Sequence, residues 1–394
     1  MLYFLVNHDN ENAHEVFADF GEGSLTCADL AEMTEHPVST VGGRAKLHFS
    51  PMQSWFFIQK PLPQIEKLSL GDSFTIKSTT LNALTLDFCD YRIDGGEWVE
   101  NTAIIVLQRL LLERRKPCDI ELRLRFRVEA GKIGEMYACI ETPELFHLEL
   151  NGHPLDGTKD CGCYIDQAFH KINILPYIRQ GENVLTMSRS FTQKQHVYDI
   201  LFGENVHETE LNKLTYDSEL ESVYLLGDFD VYSLSGYTYG ERKATFTDGP
   251  FVIRDKRNTL SRGDFGEQGY RFFSGILTVA QKLTVHKQPN TRYVLSFDKP
   301  WAPVFKLFCN GKEVKLFGWA DYEIDLTDFL ADGENELAIE LYASNRNLLG
   351  PHHYALGESY SVGPSTFSNI PGWADPPGID IWKDRYCFVH FGVR

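Results

Sequence analysis

The sequence predicts an all-β protein in which a small N-terminal β-sandwich is followed by two larger β-sandwiches. Aromatic residues make up 13% of the chain, with 27 Phe and 18 Tyr, and this favours sheets over helix bundles. Short apolar stretches recur at intervals of about 8–12 residues, with glycine-rich turns between them. One pattern of strands and turns occurs twice, which indicates two related domains.

The N-terminal region, residues 1–62, has the pattern of a small sandwich. Glycine-rich turns at Gly21–Gly23 and Val41–Gly43 separate its apolar stretches. Proline cannot donate to a β-ladder, so Lys60–Pro63 is interpreted as a linker. The predicted strands are Leu2–Val6, Glu15–Phe20, Lys46–Phe49 and Trp55–Ile58.

The next region, residues 63–232, is predicted to hold the first larger sandwich. Asn82–Phe88 alternates apolar and polar residues with the period of a strand. Asp119–Val128 alternates in the same way, with its Ile, Leu, Phe and Val side chains facing inward. Ala103–Arg115 is the best helix candidate here, because it has good helix formers and a basic end.

An internal repeat is the most informative feature of the sequence. An apolar strand ends in Asn151-Gly152 and is followed by Gly181-Glu182-Asn183 before another alternating strand. The same order recurs at Asn310-Gly311 and Gly333-Glu334-Asn335. Asn-Gly suits a hairpin turn whose two central residues need positive φ. Two generic hairpins are the alternative, but three matched features in one order favour two homologous sandwiches, residues 63–232 and 233–394.

The charge of the chain limits its partners. There are 38 Lys and Arg against 55 Asp and Glu, a formal net charge of −17. Because no block of basic residues is present, neither a nucleic acid nor a membrane surface is expected as a partner. The eight Cys are spread widely, so we expect reduced thiols in a cytoplasmic protein. No apolar run is long enough to span a bilayer, and the N-terminus lacks the features of a signal peptide.

The repeat resembles the sugar-binding jelly roll of family 2 glycoside hydrolases, a galactose-binding-like β-sandwich. Gly269–Gly275 is similar to the aromatic segment that opens a second such domain. The tail, with Asn345–His353 and Val362–Phe367, resembles the C-terminal region of large bacterial glycoside hydrolases similar to the α-L-rhamnosidases of family 106. The resemblance implies two galactose-binding-like jelly rolls.

The resemblance stops short of a catalytic domain. Members of the family place a (β/α) barrel of about 250 residues before these sandwiches. No alternation of strands and helices of that kind occurs in this sequence, so we expect an ancillary carbohydrate-associated region without a complete catalytic centre. The first alternative is an active rhamnosidase-like glycosidase, with acids at a domain seam or supplied by a partner chain. The second alternative is a purely structural association module.

Sugar recognition suits this composition, because a pyranose packs its C–H face on an aromatic ring and bonds its hydroxyls to planar polar groups. Loops on a rigid sandwich are where such residues collect. The tail and the segment before the last repeat strands are rich in them. The predicted carbohydrate-binding residues are Trp319, Tyr322, Asn345, Arg346, Asn347, His352, His353 and Trp373. The first copy has Cys163-Tyr164 in place of Trp319, so the two copies are not expected to be equivalent.

Glycoside hydrolysis needs two carboxyl groups across the sugar, and the sequence alone pairs none. We therefore name no catalytic residue, although several acids stand in loop-like stretches with aromatic neighbours. No metal is expected, because the His and Cys residues lack ligand spacing. Such sandwiches often hold a structural calcium, but no loop has a dense Asp and Asn pattern. Expected partners are a carbohydrate and either a catalytic barrel chain or a second copy. The acid candidates are Asp264, Glu267, Glu358, Asp375 and Asp380.

Overall fold

The computed structural model describes residues 1–30, 33–61, 63–319, 322–354, 358 and 383–394. Its secondary structure is mainly β-strand, with four short α-helices in these ranges, so the predicted all-β class is confirmed. The chain divides into two compact units. The first comprises Met1–Leu70, Lys282–Phe297 and Tyr322–Asn335, and the second comprises the remaining stretches. The domain boundaries at residues 62 and 232 stay predictions.

The N-terminal strands build a small core in the first unit. A four-stranded antiparallel sheet has the order β1-β6-β3-β4, and β2 pairs with β5 in a separate ladder. Every predicted strand of this region lies within two residues of its expected position. The strands are β1 (Leu2–Val6), β2 (His14–Asp19), β3 (Ser24–Asp29), β4 (Thr34–Val38), β5 (Arg44–Phe49), β6 (Ser54–Lys60) and β7 (Gln64–Leu68). The buried side chains between them are Phe20, Leu25, Ala45, Leu47, Phe49 and Phe57.

The middle of the chain continues with strands and three helices. They are β8 (Ser73–Thr79), β9 (Asn82–Leu86), β10 (Phe88–Ile93), β11 (Val99–Ala103), α1 (Ile104–Glu113), β12 (Cys118–Val128), β13 (Met136–Glu141), β14 (His147–Leu150), β15 (His153–Leu155), β16 (Cys163–Tyr164), β17 (Asp166–Asn173), β18 (Gly181–Phe191), α2 (Gln195–Phe202), α3 (Glu208–Leu211) and β19 (Val223–Gly227). Single turns of 3-10 helix lie at Pro143–Leu145, Leu175–Tyr177, Glu241–Lys243 and Gly266–Gln268.

The last part of the chain adds shorter strands and one helical turn. They are β20 (Phe229–Ser233), β21 (Thr238–Tyr239), β22 (Ala244–Thr247), β23 (Phe251–Asp255), β24 (Thr259–Ser261), β25 (Gly263–Asp264), β26 (Ile276–Val285), β27 (Thr291–Ser296), β28 (Val304–Cys309), β29 (Lys312–Phe317), β30 (Glu323–Asp325), β31 (Gly333–Tyr342), α4 (Arg346–Leu349), β32 (Tyr386–Val389) and β33 (Gly392–Val393).

Two sheets of the second unit pack around one large core. One sheet has the order β11-β10-β12-β18-β14-β15; in addition, β23 pairs with β12, and β20 pairs with β23. The other sheet has the order β16-β17-β13-β19-β9. Strand β12 shows why they pack, because its alternate residues from Ile120 to Val128 are buried while most of those between face outward. Helix α1 adds the buried Leu107 and Leu111 to the same core, at the position that the sequence predicts.

The repeat is visible in the strand order. A six-stranded sheet with the order β24-β8-β26-β31-β28-β29 matches β11-β10-β12-β18-β14-β15 strand for strand, and in both sheets an Asn-Gly hairpin joins the last two strands. A three-stranded sheet in the first unit has the order β30-β27-β7. Its neighbouring strands β30 and β27 correspond to the neighbouring strands β17 and β13 of the first copy. The two copies therefore share topology as well as sequence pattern.

The two Asn-Gly turns have the same geometry. Asn151 and Asn310 have φ of 55° and 53°, and Gly152 and Gly311 have φ of 83° and 77°. Positive φ at both central residues is the conformation of a type I′ hairpin turn. Each asparagine side chain also accepts a hydrogen bond from the backbone of the following repeat strand, at Val184 N and Glu336 N respectively.

The Gly-Glu-Asn elements of the repeat are matched hydrogen-bond by hydrogen-bond. Asn183 is fully buried; its side chain donates to the carbonyls of Arg179 and Gly181 and accepts from Arg179 N. Asn335 makes the corresponding bonds with the backbone of Ala331 and Gly333. Each buried amide therefore closes the loop before a long strand. In the described part of the chain, no helix has the length and apolarity required to cross a membrane.

Candidate functional site

The structure brings five of the predicted sugar-binding residues into one region of the second unit. Asn345, Arg346 and Asn347 begin helix α4, and His352 and His353 follow it. Trp319 stands apart, directly after β29, with 84% of its surface exposed. Tyr322 belongs to the first unit and is half-buried beside Phe297. Trp373 and the acid candidates Asp375 and Asp380 lie outside the described residues.

The two histidines converge on the buried carboxylate of Asp87. His353 Nε2 lies 3.0 Å and His352 Nδ1 lies 3.5 Å from Asp87 Oδ2, and the Tyr386 hydroxyl donates to Oδ1 at 2.6 Å. We call these four residues the Asp87 cluster. Burial acts to raise the pKa of Asp87, but hydrogen bonds and charge from the histidines outweigh it and hold that pKa well below its usual value. Burial, with the Asp87 charge beside it, raises the pKa of Tyr386. Burial lowers the pKa of His352, although the hydrogen bond and charge of Asp87 oppose this.

The remaining polar atoms of this region bond to the backbone. His352 Nε2 lies 3.0 Å from the Asn347 carbonyl, and His353 Nδ1 lies 3.2 Å from the Arg385 carbonyl. The Asn347 side chain donates to one backbone group of Val389 and accepts from the other. These bonds fasten α4 and the segment after it to strand β32. Their burial favours a structural role, and the sugar-binding role of these residues stays a prediction.

Arg346 and Asn345 are also engaged within the protein. Arg346 Nε donates to Glu358 Oε2 at 2.8 Å, which accounts for one of the acid candidates as an ion-pair partner. The Asn345 side-chain oxygen accepts a hydrogen bond of 2.5 Å from the Ser274 hydroxyl. The group of predicted residues that the structure brings together is therefore largely occupied by internal contacts.

A second region, around Glu267, combines charged and aromatic side chains, the combination that the sequence analysis expected in the tail. Arg271 is fully buried, and its NH1 lies 3.3 Å from Asp264 Oδ2 while its NH2 lies 3.7 Å from Glu267 Oε1. Asp264 is occupied further, because its Oδ1 accepts from Gly266 N and Phe391 N. Glu267 keeps 26% of its side chain exposed. A buried arginine thus lies against the carboxylate of a partly exposed side chain.

The guanidinium of Arg271 is held by close packing. It lies 4.6 Å from the ring centre of Tyr237 and 5.3 Å from that of Phe388. A Cβ atom on Gly266 would lie 3.0 Å from the guanidinium carbon, so any larger residue there would require the Arg271 side chain to shift. Its Nε and NH2 have no hydrogen-bond partner in the described residues, and neither has Glu267 Oε1. The charge of Arg271 is therefore directed at the two carboxylates.

Aromatic rings continue from Glu267 along the surface. Hydrogen bonding to Glu267 raises the pKa of Tyr239, whose side chain is 66% exposed. The His390 ring lies 6.3 Å from the Tyr239 ring and 4.5 Å from the Trp301 ring, centre to centre. His390 and Trp301 are half-buried, and the ring nitrogens of both are buried. We call Glu267, Arg271, Tyr239, Trp301 and His390 the Glu267 cluster.

Backbone pairing explains why these distant residues meet. Tyr239 ends β21, which pairs with β22, and β22 pairs with the C-terminal strand β32. The chain then runs through His390 to β33, which pairs with β25 just before Glu267. Trp301 pairs with Gly392 in an isolated bridge. The sequence analysis named Asp264 and Glu267 but missed the aromatic partners; the alternation of Tyr237 and Tyr239 after a glycine was the signal that could have indicated Tyr239.

The described residues contain no group of three or more His, Cys, Asp or Glu side chains arranged to hold a metal ion. The cluster therefore offers a ligand the exposed ring of Tyr239, part of the Glu267 side chain, and the half-buried residues Trp301 and His390. These groups bind hydroxyls and pack on the apolar face of a ring.

Comparisons with known proteins give distant structural likenesses. No protein-family model and no curated protein matches the chain. A rhamnosidase from Novosphingobium sp. PP1Y is 14% identical with a TM-score of 0.26, over 57% of this chain and 22% of that one. A β-D-mannosidase from Dictyoglomus thermophilum is 12% identical with a TM-score of 0.25, over 67% and 31%. An α-L-rhamnosidase from Streptomyces avermitilis is 9% identical with a TM-score of 0.26, over 85% and 34%.

The chain thus spans about a fifth to a third of the length of these solved structures. At such TM-scores and identities the likeness establishes neither a family nor an activity. The interpretation of the site depends on its own residues.

Proposed function

We propose that this chain is an ancillary carbohydrate-associated region that binds a sugar at the Glu267 cluster and has no complete catalytic centre of its own. The observation that carries the proposal is a partly exposed glutamate, supported by a buried arginine, at one end of a row of exposed and half-buried aromatic residues. A pyranose uses both features, because its hydroxyls donate to a carboxylate while its C–H face packs on a ring.

The state of Asp264 supports binding over hydrolysis at this site. A glycosidase places two carboxyl groups on opposite sides of the scissile bond. Asp264 accepts two backbone hydrogen bonds and faces Arg271, so both of its oxygens already have partners within the protein. Glu267 is the more accessible of the two, with 26% of its side chain exposed against 8% for Asp264. An active glycosidase with acids from elsewhere, or from a partner chain, is the alternative.

The proposal is tested by calorimetric titration of the purified chain with a panel of neutral monosaccharides and their methyl glycosides. We expect weak, saturable binding of at least one sugar. Trp301→Ala or Glu267→Gln should weaken it at least tenfold, since each removes a direct contact worth about 1.4 kcal/mol or more. Trp319→Ala is the matched control, because Trp319 is an exposed tryptophan outside the cluster. Thermal melts of each variant check that it is folded.

Three results would count against the proposal. Loss of binding in Trp319→Ala but not in Trp301→Ala would move the site to the residue that the sequence predicted. Absence of binding across galactose- and rhamnose-containing glycans would leave the structural association role. Turnover of aryl glycosides by the chain alone would establish the glycosidase alternative.

A further inference from the structure

Cys161 and Cys163, two positions apart, form a pair of thiols outside the Glu267 cluster. Both are exposed, whereas Cys27 is half-buried and the other five cysteines are buried. Exchange between a thiol and a disulfide requires access to the sulfur, so buried cysteines are inert. The thiols of the chain that are open to this reaction are therefore concentrated at this pair.

The spacing of the pair is within the range of a disulfide. The Cα atoms of residues two positions apart are separated by at most about 7 Å. Gly162, between the cysteines, has φ of 94°, so the backbone departs here from the fully extended form that gives this maximum. A disulfide usually joins Cα atoms that are about 4.4–6.8 Å apart, so a bond between these cysteines requires little movement of the backbone.

Hydrogen bonds hold the segment against strand β17. The Lys171 carbonyl accepts from Cys161 N at 2.8 Å, and Lys171 N donates to the Gly162 carbonyl at 3.0 Å. Asp160 Oδ1 accepts from Gly162 N at 3.1 Å, and Asp160 Oδ2 lies 2.8 Å from His170 Nδ1. The backbone between the two cysteines is therefore ordered, which favours a reaction within the pair over a reaction between chains.

Both thiols are near the same face of the neighbouring strand β13. Burial raises the pKa of Tyr137, and negative charge on the Cys161 sulfur adds to the rise. Burial raises the pKa of Cys139 to about 12, and negative charge on the Cys163 sulfur adds to the rise. Tyr137 and Cys139 are two positions apart on β13, so their side chains lie on one face of the sheet. The two exposed sulfurs are therefore on the same side of the hairpin.

We propose that Cys161 and Cys163 are a reversible redox pair, oxidised to an intramolecular disulfide by a small disulfide such as glutathione disulfide. Their exposure, their spacing and their common side of the sheet are the features that carry the proposal. Exposed disulfides are the labile kind, in contrast with buried structural ones. The pair shares no residue with the Glu267 cluster and does not depend on the function proposed for it.

The reaction is two successive thiol–disulfide exchanges. The thiolate of one cysteine attacks a glutathione sulfur; a bond between protein and glutathione forms, the glutathione S–S bond breaks, and one glutathione thiolate leaves. The thiolate of the other cysteine then attacks the protein sulfur, forms the disulfide and displaces the second glutathione. The two cysteine protons pass through solvent to the two glutathione thiolates. Two protein thiols are thus oxidised while one glutathione disulfide is reduced.

The test is incubation of the full chain with mixtures of reduced and oxidised glutathione. The reaction is quenched with acid, the remaining thiols are alkylated in denaturant, and the products are measured by mass spectrometry. With oxidised glutathione in excess, the number of alkylated thiols should fall from eight to six, and peptide mapping should join Cys161 to Cys163. Excess reduced glutathione should restore all eight thiols.

Variants with one cysteine replaced separate the two steps. Cys163→Ser keeps the Cys161 thiol but removes the second attack, so it should retain at least about tenfold more bound glutathione than the parent chain. Cys161→Ser should do the same at Cys163. Cys27→Ser is the matched control, because it removes a half-buried cysteine, and it should form the disulfide as the parent chain does. Thermal melts check that each variant is folded.

Three results would overturn the proposal. Alkylation of all eight thiols at every glutathione ratio would show that the pair is not oxidised. Stable attachment of glutathione to both cysteines of the parent chain would show two independent thiols. A disulfide to a second chain, or to Cys27 or Cys139, would show that the segment does not bring the two sulfurs together. None of these measurements depends on sugar binding, so failure here is distinguishable from failure of the proposed function.

Discussion

At the scale of single residues, buried polar groups hold the second unit together across long stretches of chain. Asp87 receives contacts from His352, His353 and Tyr386, although these residues lie more than 260 positions away. Its carboxylate stays charged in the interior because those donors outweigh the cost of burial. A buried charge of this kind stabilises the fold only while all its partners are present.

Replacing Asp87 by Asn should therefore destabilise the protein strongly. The amide keeps the shape of the side chain but offers one acceptor in place of two oxygens and removes the charge. We expect a loss of about 3 kcal/mol in the free energy of unfolding. Tyr386→Phe, which removes a single hydrogen bond to the same carboxylate, should cost about 1–2 kcal/mol. Urea denaturation measures the free energy of unfolding of both variants. Equal losses in the two variants would show that the contacts between Asp87 and the histidines do not stabilise the fold.

Glu221 provides a test of the opposite kind of shift, because its pKa is raised whereas that of Asp87 is lowered. Protein atoms around its carboxyl group raise the pKa of Glu221 to about 7 by desolvation, and Glu219 and Glu141 add to the rise, although the residue as a whole is exposed. The unfolded chain titrates near 4.3, so between about pH 4.3 and 7 the folded state binds more protons. Stability from this group is present at low pH and is lost as pH rises through the folded value.

Glu221→Gln removes that titration. The variant's melting temperature, relative to the parent protein, should therefore rise steadily from about pH 4.5 to 7 and level off above it. Glu182→Gln, at an exposed carboxylate of the same unit, is the control and should show no such trend. A flat difference for Glu221→Gln across this range would contradict the raised pKa.

At the scale of elements, local chemistry determined what the sequence could predict. The Asn-Gly turns were predictable because positive φ at two successive residues suits few residue types. Strand β12 and helix α1 were predictable because their periods are regular over ten or more residues. Helix α2 was not predicted, since its eight residues, with Val197 and Tyr198 buried, form a short apolar stretch that is equally compatible with a strand.

The Gly-Glu-Asn elements yield a matched pair of predictions, one in each copy. Removing the Asn183 side chain leaves the backbone N–H and carbonyl of Arg179 without their partners. Asn183→Ala and Asn335→Ala should each cost about 2–3 kcal/mol in the free energy of unfolding. Asn173→Ala, at an exposed asparagine with a single hydrogen bond to Leu175 N, should cost less than about 1 kcal/mol. If only one of Asn183→Ala and Asn335→Ala lowers the free energy of unfolding, the Gly-Glu-Asn elements of the two copies are not equivalent.

At the scale of the whole molecule, the sequence predicted the class and the duplication but not the candidate site. Class and duplication follow from patterns within a few dozen residues. Trp301, Tyr239 and His390 reach Glu267 only through strand pairings between distant parts of the chain. Of the tail residues chosen because they were polar or aromatic, His352 and His353 instead lie buried at Asp87, and Asn347 is buried beside His352. Composition identified the right residue types, and topology decided which of them face solvent.

Strand β7 shows what this topology demands of the nascent polypeptide. Its hydrogen-bonding neighbour in the first unit is β27, to which it runs parallel, from Gln64 against Thr291 to Leu68 against Leu295. Until the ribosome has released that later stretch, the amides of β7 have no ladder to join. An unpaired strand edge is a template for intermolecular pairing. Fragments that end before Ser296 are thus expected to aggregate where the intact chain does not, and pairing of β7 has to wait for synthesis of β27.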